Sequence, residues 1–127
     1  MIDREEIARI LARDDRIEAA YLLGSAVEDR LRADSDVDIA VLPIMGQRID
    51  DISRVSLATE LFAAAGRTVD IGVLSSSNLV YARQAILTGI RIYVRDRTSA
   101  DEAAARFMGM YAFFNEERAE VLRTYRM

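Results

Sequence analysis

Val37-Asp38-Ile39-Ala40-Val41-Leu42 and Val69-Asp70-Ile71-Gly72-Val73-Leu74 are one phrase written twice. Five of the six positions are identical, and the sixth exchanges Ala for Gly. Each copy is a short apolar run rich in β-branched residues, as expected of a strand with a buried face. Side chains two apart on a strand share a face, so Val37, Ile39 and Val41 point into a core while Asp38 and Ala40 point the other way. If the two copies pair in the register of the repeat, Asp70 falls beside Asp38. Asp36 sits two residues before Asp38 and shares its face, with Ala40 and Gly72 leaving open space further along.

Three carboxylates on one face repel one another, and a divalent cation is the simplest agent to offset that. Oxygen ligands alone select hard cations, above all Mg²⁺, which takes one or two carboxylates together with substrate phosphates. Two such ions can stabilise the attacking and the leaving oxygen of an in-line phosphoryl displacement. Asp70 has the position to accept the proton of an attacking hydroxyl as general base. A D-x-D motif alone is more often a solvated strand end or a turn, and a short apolar echo can arise by chance. The combination, not any one feature, points to a metal site.

Outward from the repeat, the chain alternates helix and strand signals. Asp3 and Glu6 have capping-box spacing and Ile2 with Ile7 forms a hydrophobic staple, opening a first helix that carries Ile7, Ile10 and Leu11. Ile17 to Leu23 reads as a buried strand stopped by Gly24-Ser25, and residues 26–34 as a charged short helix or loop. The second strand runs from Asp36 to Leu42 and ends at Pro43, the single proline. Ile49 to Ala65 predicts a helix with Ala58, Leu61, Phe62 and Ala65 on one face, ended by Gly66. The third strand covers Thr68 to Leu74.

Ser75-Ser76-Ser77-Asn78 offers several N-caps for a helix carrying Leu79, Ala82, Ile86 and Leu87, which Gly89 stops. Ile90 to Val94 is a fourth strand. Ser99 and Glu102 have capping-box spacing for a long last helix. Its stripe of Phe107, Met110, Tyr111, Phe114, Val121, Leu122 and Tyr125, interrupted at Arg118, reads mainly as core, and Met108 and Phe113 beside it as partner surface. The fold class is α/β (α+β), a single sheet of about four strands with flanking helices. At 127 residues the chain fits one domain, 1–127.

Composition excludes several chemistries. There is no Cys and no His, so thiolate chemistry, disulfides and the commonest general base are unavailable. All 17 basic residues are Arg; without Lys there is neither a P-loop nor a Schiff base. A net charge of −4 disfavours direct nucleic-acid binding, which needs a basic footprint. No apolar run reaches the roughly 20 residues that span a bilayer, and the N-terminus lacks a signal-peptide profile. A cytoplasmic protein without membrane contact is the expectation.

Gly24-Ser25 ends the first strand where a glycine lets the backbone approach a ligand and a serine adds a hydroxyl. Alone it reads as a plain strand-to-helix turn. Ten residues separate Ser25 from Asp36, giving G-S-x10-D-x-D with a third Asp on a later strand. In this combination the chain resembles the polymerase-β-like nucleotidyltransferase superfamily, and most of all its minimal members, the MntA-type antitoxin adenylyltransferases.

The resemblance spans nearly the whole chain and implies a nucleotidyltransferase fold with a mixed sheet. It implies that Gly24 and Ser25 contact the triphosphate, that Asp36, Asp38 and Asp70 bind Mg²⁺, and that Asp70 activates the nucleophile. ATP is the implied substrate, with two Mg²⁺ ions. A cognate HEPN-domain toxin, an RNase, is the implied partner: AMP moves to a hydroxyl of the toxin, a tyrosine, within a hetero-oligomeric complex, and silences it. Many relatives carry Ala-Arg-Gly after Gly-Ser where this chain has Val27-Glu28-Asp29; Arg30 and Arg32 follow as candidate substitutes or as plain surface charges. Two alternatives stay open: neutralisation by binding alone, and nucleotidyl transfer to a small molecule.

Overall fold

The computed structural model describes residues 2–24 and 35–126. Its elements, in chain order, are α1 (Arg4–Ala12), β1 (Ile17–Leu23), β2 (Val37–Pro43), α2 (Asp51–Ala65), β3 (Val69–Val73), α3 (Leu79–Thr88), β4 (Ile90–Val94) and α4 (Arg97–Tyr125). The strands form one mixed sheet in the order β3-β2-β1-β4. β1 runs antiparallel to both β2 and β4, and β2 lies parallel to β3.

The register between β2 and β3 is that of the repeated phrase: Val37 pairs with Val69, Asp38 with Asp70, Ile39 with Ile71, Ala40 with Gly72 and Val41 with Val73. Hydrogen bonds from Val37 N to Thr68 O and from Leu74 N to Val41 O, each 2.9 Å, carry the pairing past both ends. A shift of one residue would turn every apolar side chain of β3 out of the core. The two faces of the sheet are covered differently. Val37, Ile39 and Val41 pack with Val69 and Ile71 under α1 and α2, whereas Ala40 and Leu42 lie in a second cluster under α3 and the first turns of α4. That second cluster is rich in alanine (Ala82, Ala85, Ala100, Ala103), which lets the two helices settle close to the strands.

The helix ends are capped by side chains. Glu6 N donates to Asp3 Oδ1 at 3.0 Å, Ser53 N to Asp50 Oδ1 at 2.8 Å and Tyr81 N to Asn78 Oδ1 at 3.3 Å. Gly66 closes α2 in the left-handed conformation at φ 73°, where a Cβ would be strained. β1 carries an irregularity between Ile17 and Ala19. There Glu18 is buried, and its Oε2, without a hydrogen bond, is paired with Arg95 Nε at 3.3 Å.

Several expectations are corrected. α4 starts earlier than the Ser99–Glu102 spacing suggests: Asp96 is the N-cap and Ser99 N donates to it at 3.1 Å. The Asp96 carboxylate both accepts that bond and places negative charge at the positive end of the helix dipole. The buried face of α2 is Leu57, Leu61, Ala64 and Ala65, with Phe62 exposed. In α3 the buried residues are Ala82 and Ala85, and Leu87 is exposed. The largest difference is in α4, where only Ala100 and Ala103 are buried. From Ala112 to Arg126 every residue is exposed, so Phe114, Val121, Leu122 and Tyr125 are not core. The segment 26–34, with Arg30 and Arg32, lies outside the described residues, as does Ser25. Among the described residues no helix is long and apolar enough to cross a membrane.

Candidate active site

Asp38 and Asp70 stand side by side because parallel pairing puts residues of equal register on the same face of the sheet. That face is the one under α3, yet both carboxylates are exposed: the helical cover begins only at the next pair inward, Ala40 and Gly72. Strand β1 pairs Leu23 with Asp38, which brings Gly24 to the same spot. Gly24 has φ +66°, and a Cβ there would come within 3.5 Å of Asp38 Oδ2. Glycine thus serves twice, for the backbone turn and for a bare amide edge beside the carboxylate.

Gly24, Asp38 and Asp70 line one cleft of about 540 Å³ together with Leu23, Arg54, Tyr81 and Gln84. Asp36 precedes β2, and its charge bears on Asp38. The Asp38 carboxyl is pushed above the ordinary carboxylate range, first by partial burial and then by the negative charges of Asp70 and Asp36. This is the electrostatic mark of a partly buried carboxylate crowded by like charges. No group of three or more acidic side chains among the described residues is gathered tightly enough to hold a cation alone. The donor set nevertheless fits Mg²⁺, which completes its shell with waters and substrate phosphates.

Arg54, Tyr81 and Gln84 line the cleft and carried no signal in the sequence. Arg54, on the first turn of α2, donates through Nε and Nη2 to Ile71 O at 2.9 and 2.7 Å, and pairs through Nη1 with Asp51 at 3.2 Å. It is held at the open edge of β3 and is the cationic side chain lining the cleft among the described residues. Tyr81 lies over Gly72, its ring filling the place a side chain there would take. The space expected beside Ala40 and Gly72 is therefore closed: Ala40 is fully buried and Gly72 is covered by the phenol. Burial raises the Tyr81 pKa, and the charges of Asp38 and Asp70 raise it further against the opposing effect of Arg54. The phenol stays protonated at neutral pH and can donate a hydrogen bond into the cleft. Asn78 and Gln84, on the same helix, complete that wall.

Asp70 and Arg54 also line a neighbouring groove of about 500 Å³ between β3 and α2, bordered by Val55 and Phe62. The cleft and the groove meet at Asp70. Chemically, the arrangement offers two adjacent carboxylates under a third charge, an exposed backbone turn, one arginine and one neutral phenol. It suits a polyanionic ligand only if a cation comes with it.

The sequence model of the family described as "Polymerase beta, Nucleotidyltransferase" matches residues 5–98. The protein adenylyltransferase MntA of Shewanella oneidensis is 29% identical over 125 residues, covering 95% of this chain and 86% of the relative. A chain from the crystal structure of a toxin–antitoxin with AMP-PNP superposes with a TM-score of 0.79 at 25% identity, over 99% of this chain and 100% of that one. A chain from the tri-AMPylated Shewanella oneidensis HEPN toxin in complex with MNT antitoxin gives a TM-score of 0.73 at 25% identity, over 98% and 97% of the two chains.

Proposed function

Because this chain belongs to the polymerase β nucleotidyltransferase family, we propose that it is a protein adenylyltransferase acting as an antitoxin. It transfers AMP from ATP to a tyrosine hydroxyl of a cognate HEPN-type toxin in the cytoplasm, and so neutralises it. The observation that carries this reading is the placement of Asp38 beside Asp70 in one cleft with the Gly24 turn. A relative matched over 86% of its length is a protein adenylyltransferase, and similar chains were solved as toxin–antitoxin assemblies, one with an ATP analogue and one with an AMPylated toxin. These support the substrate and the partner.

Asp36, Asp38 and Asp70 are the residues that would hold Mg²⁺, two ions in all, together with the nucleotide's phosphates. A cation held there would supply neutralisation of phosphate charge and a more electrophilic α-phosphorus. The chain's own groups do the rest. Gly24 presents backbone to the triphosphate from a left-handed turn beside Asp38, and Ser25 adds a hydroxyl contact. Arg54 orients the polyanion from the opposite wall, and the Tyr81 hydroxyl donates a hydrogen bond to the bound nucleotide. The acceptor hydroxyl enters where cleft and groove meet and passes its proton to Asp70. Its oxygen bonds to the α-phosphorus, the bond to the β-phosphate oxygen breaks, and pyrophosphate leaves. Most of the acceleration comes from positioning and charge stabilisation, consistent with a site that uses neither His nor Cys.

The test uses purified partner toxin and ATP labelled at the α-phosphate. The wild-type protein should label a toxin tyrosine and Asp38→Ala should not. Labelling by Asp38→Ala would overturn the site assignment. Full protection of cells by coexpressed Asp38→Ala would instead favour neutralisation by binding alone.

A further inference from the structure

The outer half of α4 exposes a row of large apolar side chains. Phe107, Tyr111, Phe114, Arg118, Val121 and Tyr125 follow one another at intervals of 4, 3, 4, 3 and 4 residues. This 3.5-residue repeat is the seam by which one helix packs along another. The start of the seam is used within the chain: Phe107 packs into the second core cluster, and the Arg83 guanidinium lies 4.9 Å from the centre of the Tyr111 ring. Beyond Tyr111 the helix leaves the domain. The exposed stretch from Ala112 to Arg126 extends for about 22 Å at the rise of an α-helix.

A projecting helix of that length is marginal in water without packing, and Phe114, Val121 and Tyr125 are 42%, 53% and 84% exposed. Contiguous aromatic and aliphatic exposure of this kind marks an interaction surface. A second copy of this chain is a poor occupant. The exposed seam from Phe114 to Tyr125 carries Arg118, so parallel in-register pairing of two copies sets Arg118 against Arg118, and antiparallel pairing about its centre sets Arg118 against Val121 without a counter-charge. Among the described residues Arg118 bonds to the neighbouring Asn115, at 3.1 Å on an exposed surface. A membrane fits no better, because the polar side mixes Glu116, Glu117 and Glu120 with Arg123 and Arg126 rather than being basic.

We propose that the exposed seam from Phe114 to Tyr125 is the docking face for the cognate toxin, which lays an α-helix along it and sets a carboxylate opposite Arg118. This rests on the toxin reading above. The similar chains solved as toxin–antitoxin assemblies match this chain over nearly its whole length, α4 included. Aromatic residues around one arginine are the usual composition of an interface centre. Docking there leaves the Asp38–Asp70 cleft free for ATP and holds the acceptor near it across repeated encounters.

The test compares full-length wild type with Phe114→Glu/Val121→Glu and with Arg118→Glu. All these positions are exposed, so the fold should persist, and unchanged binding of an ATP analogue with Mg²⁺ confirms it. Toxin affinity by calorimetry should fall at least roughly 30-fold for the double variant and roughly 10-fold for Arg118→Glu. Equal affinity of wild type and both variants, with toxin labelling intact, overturns the docking face and leaves the transferase reading standing. A wild-type protein that is dimeric alone, and monomeric as the double variant, would assign the seam to a second copy and overturn the proposal. If the wild type neither binds nor labels the toxin, the underlying reading fails with it.

Discussion

The hydroxyl end of Tyr81 occupies the place where a side chain at Gly72 would begin. Gly72 lies two residues beyond Asp70 on the same face of β3, so the phenol closes the inner end of the cleft that Asp38 and Asp70 open. Asn78 fixes the first turn of α3 by accepting from Tyr81 N, which sets where the ring falls. The cleft thus depends on a glycine and an aromatic residue fitted to each other.

Gly72→Ala should displace the Tyr81 ring, since the new methyl group cannot share its space. Overpacking of this kind costs about 1–3 kcal/mol. A lower melting temperature is expected, with a rise in KM for ATP larger than any change in kcat. Tyr81→Phe keeps the ring and removes only the hydroxyl, so its stability should stay near wild type while KM rises by roughly 2–10-fold, the value of one hydrogen bond. Steady-state kinetics with thermal denaturation checks both.

Asp38 gives a pH-dependent signature. Its folded pKa is raised, so the folded chain holds that proton more tightly than the unfolded chain does. Ionisation therefore costs stability above the folded pKa, and the cost disappears as pH falls below about 4, where a free Asp titrates. In cation-free buffer Asp38→Asn should melt higher than wild type at pH 7, with the difference closing in acid. Added Mg²⁺ with an ATP analogue should stabilise wild type and leave Asp38→Asn nearly unmoved.

Asp70→Asn should keep the fold and remove the proton acceptor and one ligand. Transfer should drop by roughly 10²–10⁴-fold, the usual contribution of a general base. A variant with a flattened pH–rate profile and retained nucleotide binding would match this role; wild-type rates would remove it.

Arg95→Ala should leave the Glu18 carboxylate buried without its counter-ion. Because Arg95 is itself half exposed, the expected loss is about 2–3 kcal/mol, below the full cost of breaking a buried pair. Denaturant unfolding measures it, and Glu18→Gln combined with Arg95→Ala should recover part of the loss. The pair is remote from the cleft, so ATP binding should be unaffected.

The sheet was legible because its information is local. The repeated phrase carries the β2–β3 register within its own letters, and Asp3, Asn78 and Gly66 mark helix ends through bonds or backbone angles set by near neighbours. The placement of Asp38 beside Asp70 was visible for the same reason. Arg54 and Tyr81 were not, because each reaches the cleft from a helix whose rotation is decided by packing; the expected face of α2, turned toward Phe62, shows how a short apolar stripe leaves that rotation open. The outer part of α4 was misread as core because its 3.5-residue pattern suits any helical neighbour. Nothing in the letters says whether that neighbour belongs to the same chain.

Crystals grown with Mn²⁺ in place of Mg²⁺ and a non-hydrolysable ATP analogue test the central claim most directly through anomalous scattering. The expected result is strong metal density bound by carboxylate oxygens of Asp38 and Asp70, at about 2.0–2.3 Å, with Asp36 and the nucleotide phosphates completing the shell. Metal bound elsewhere, or nucleotide bound without metal at these aspartates, would contradict it.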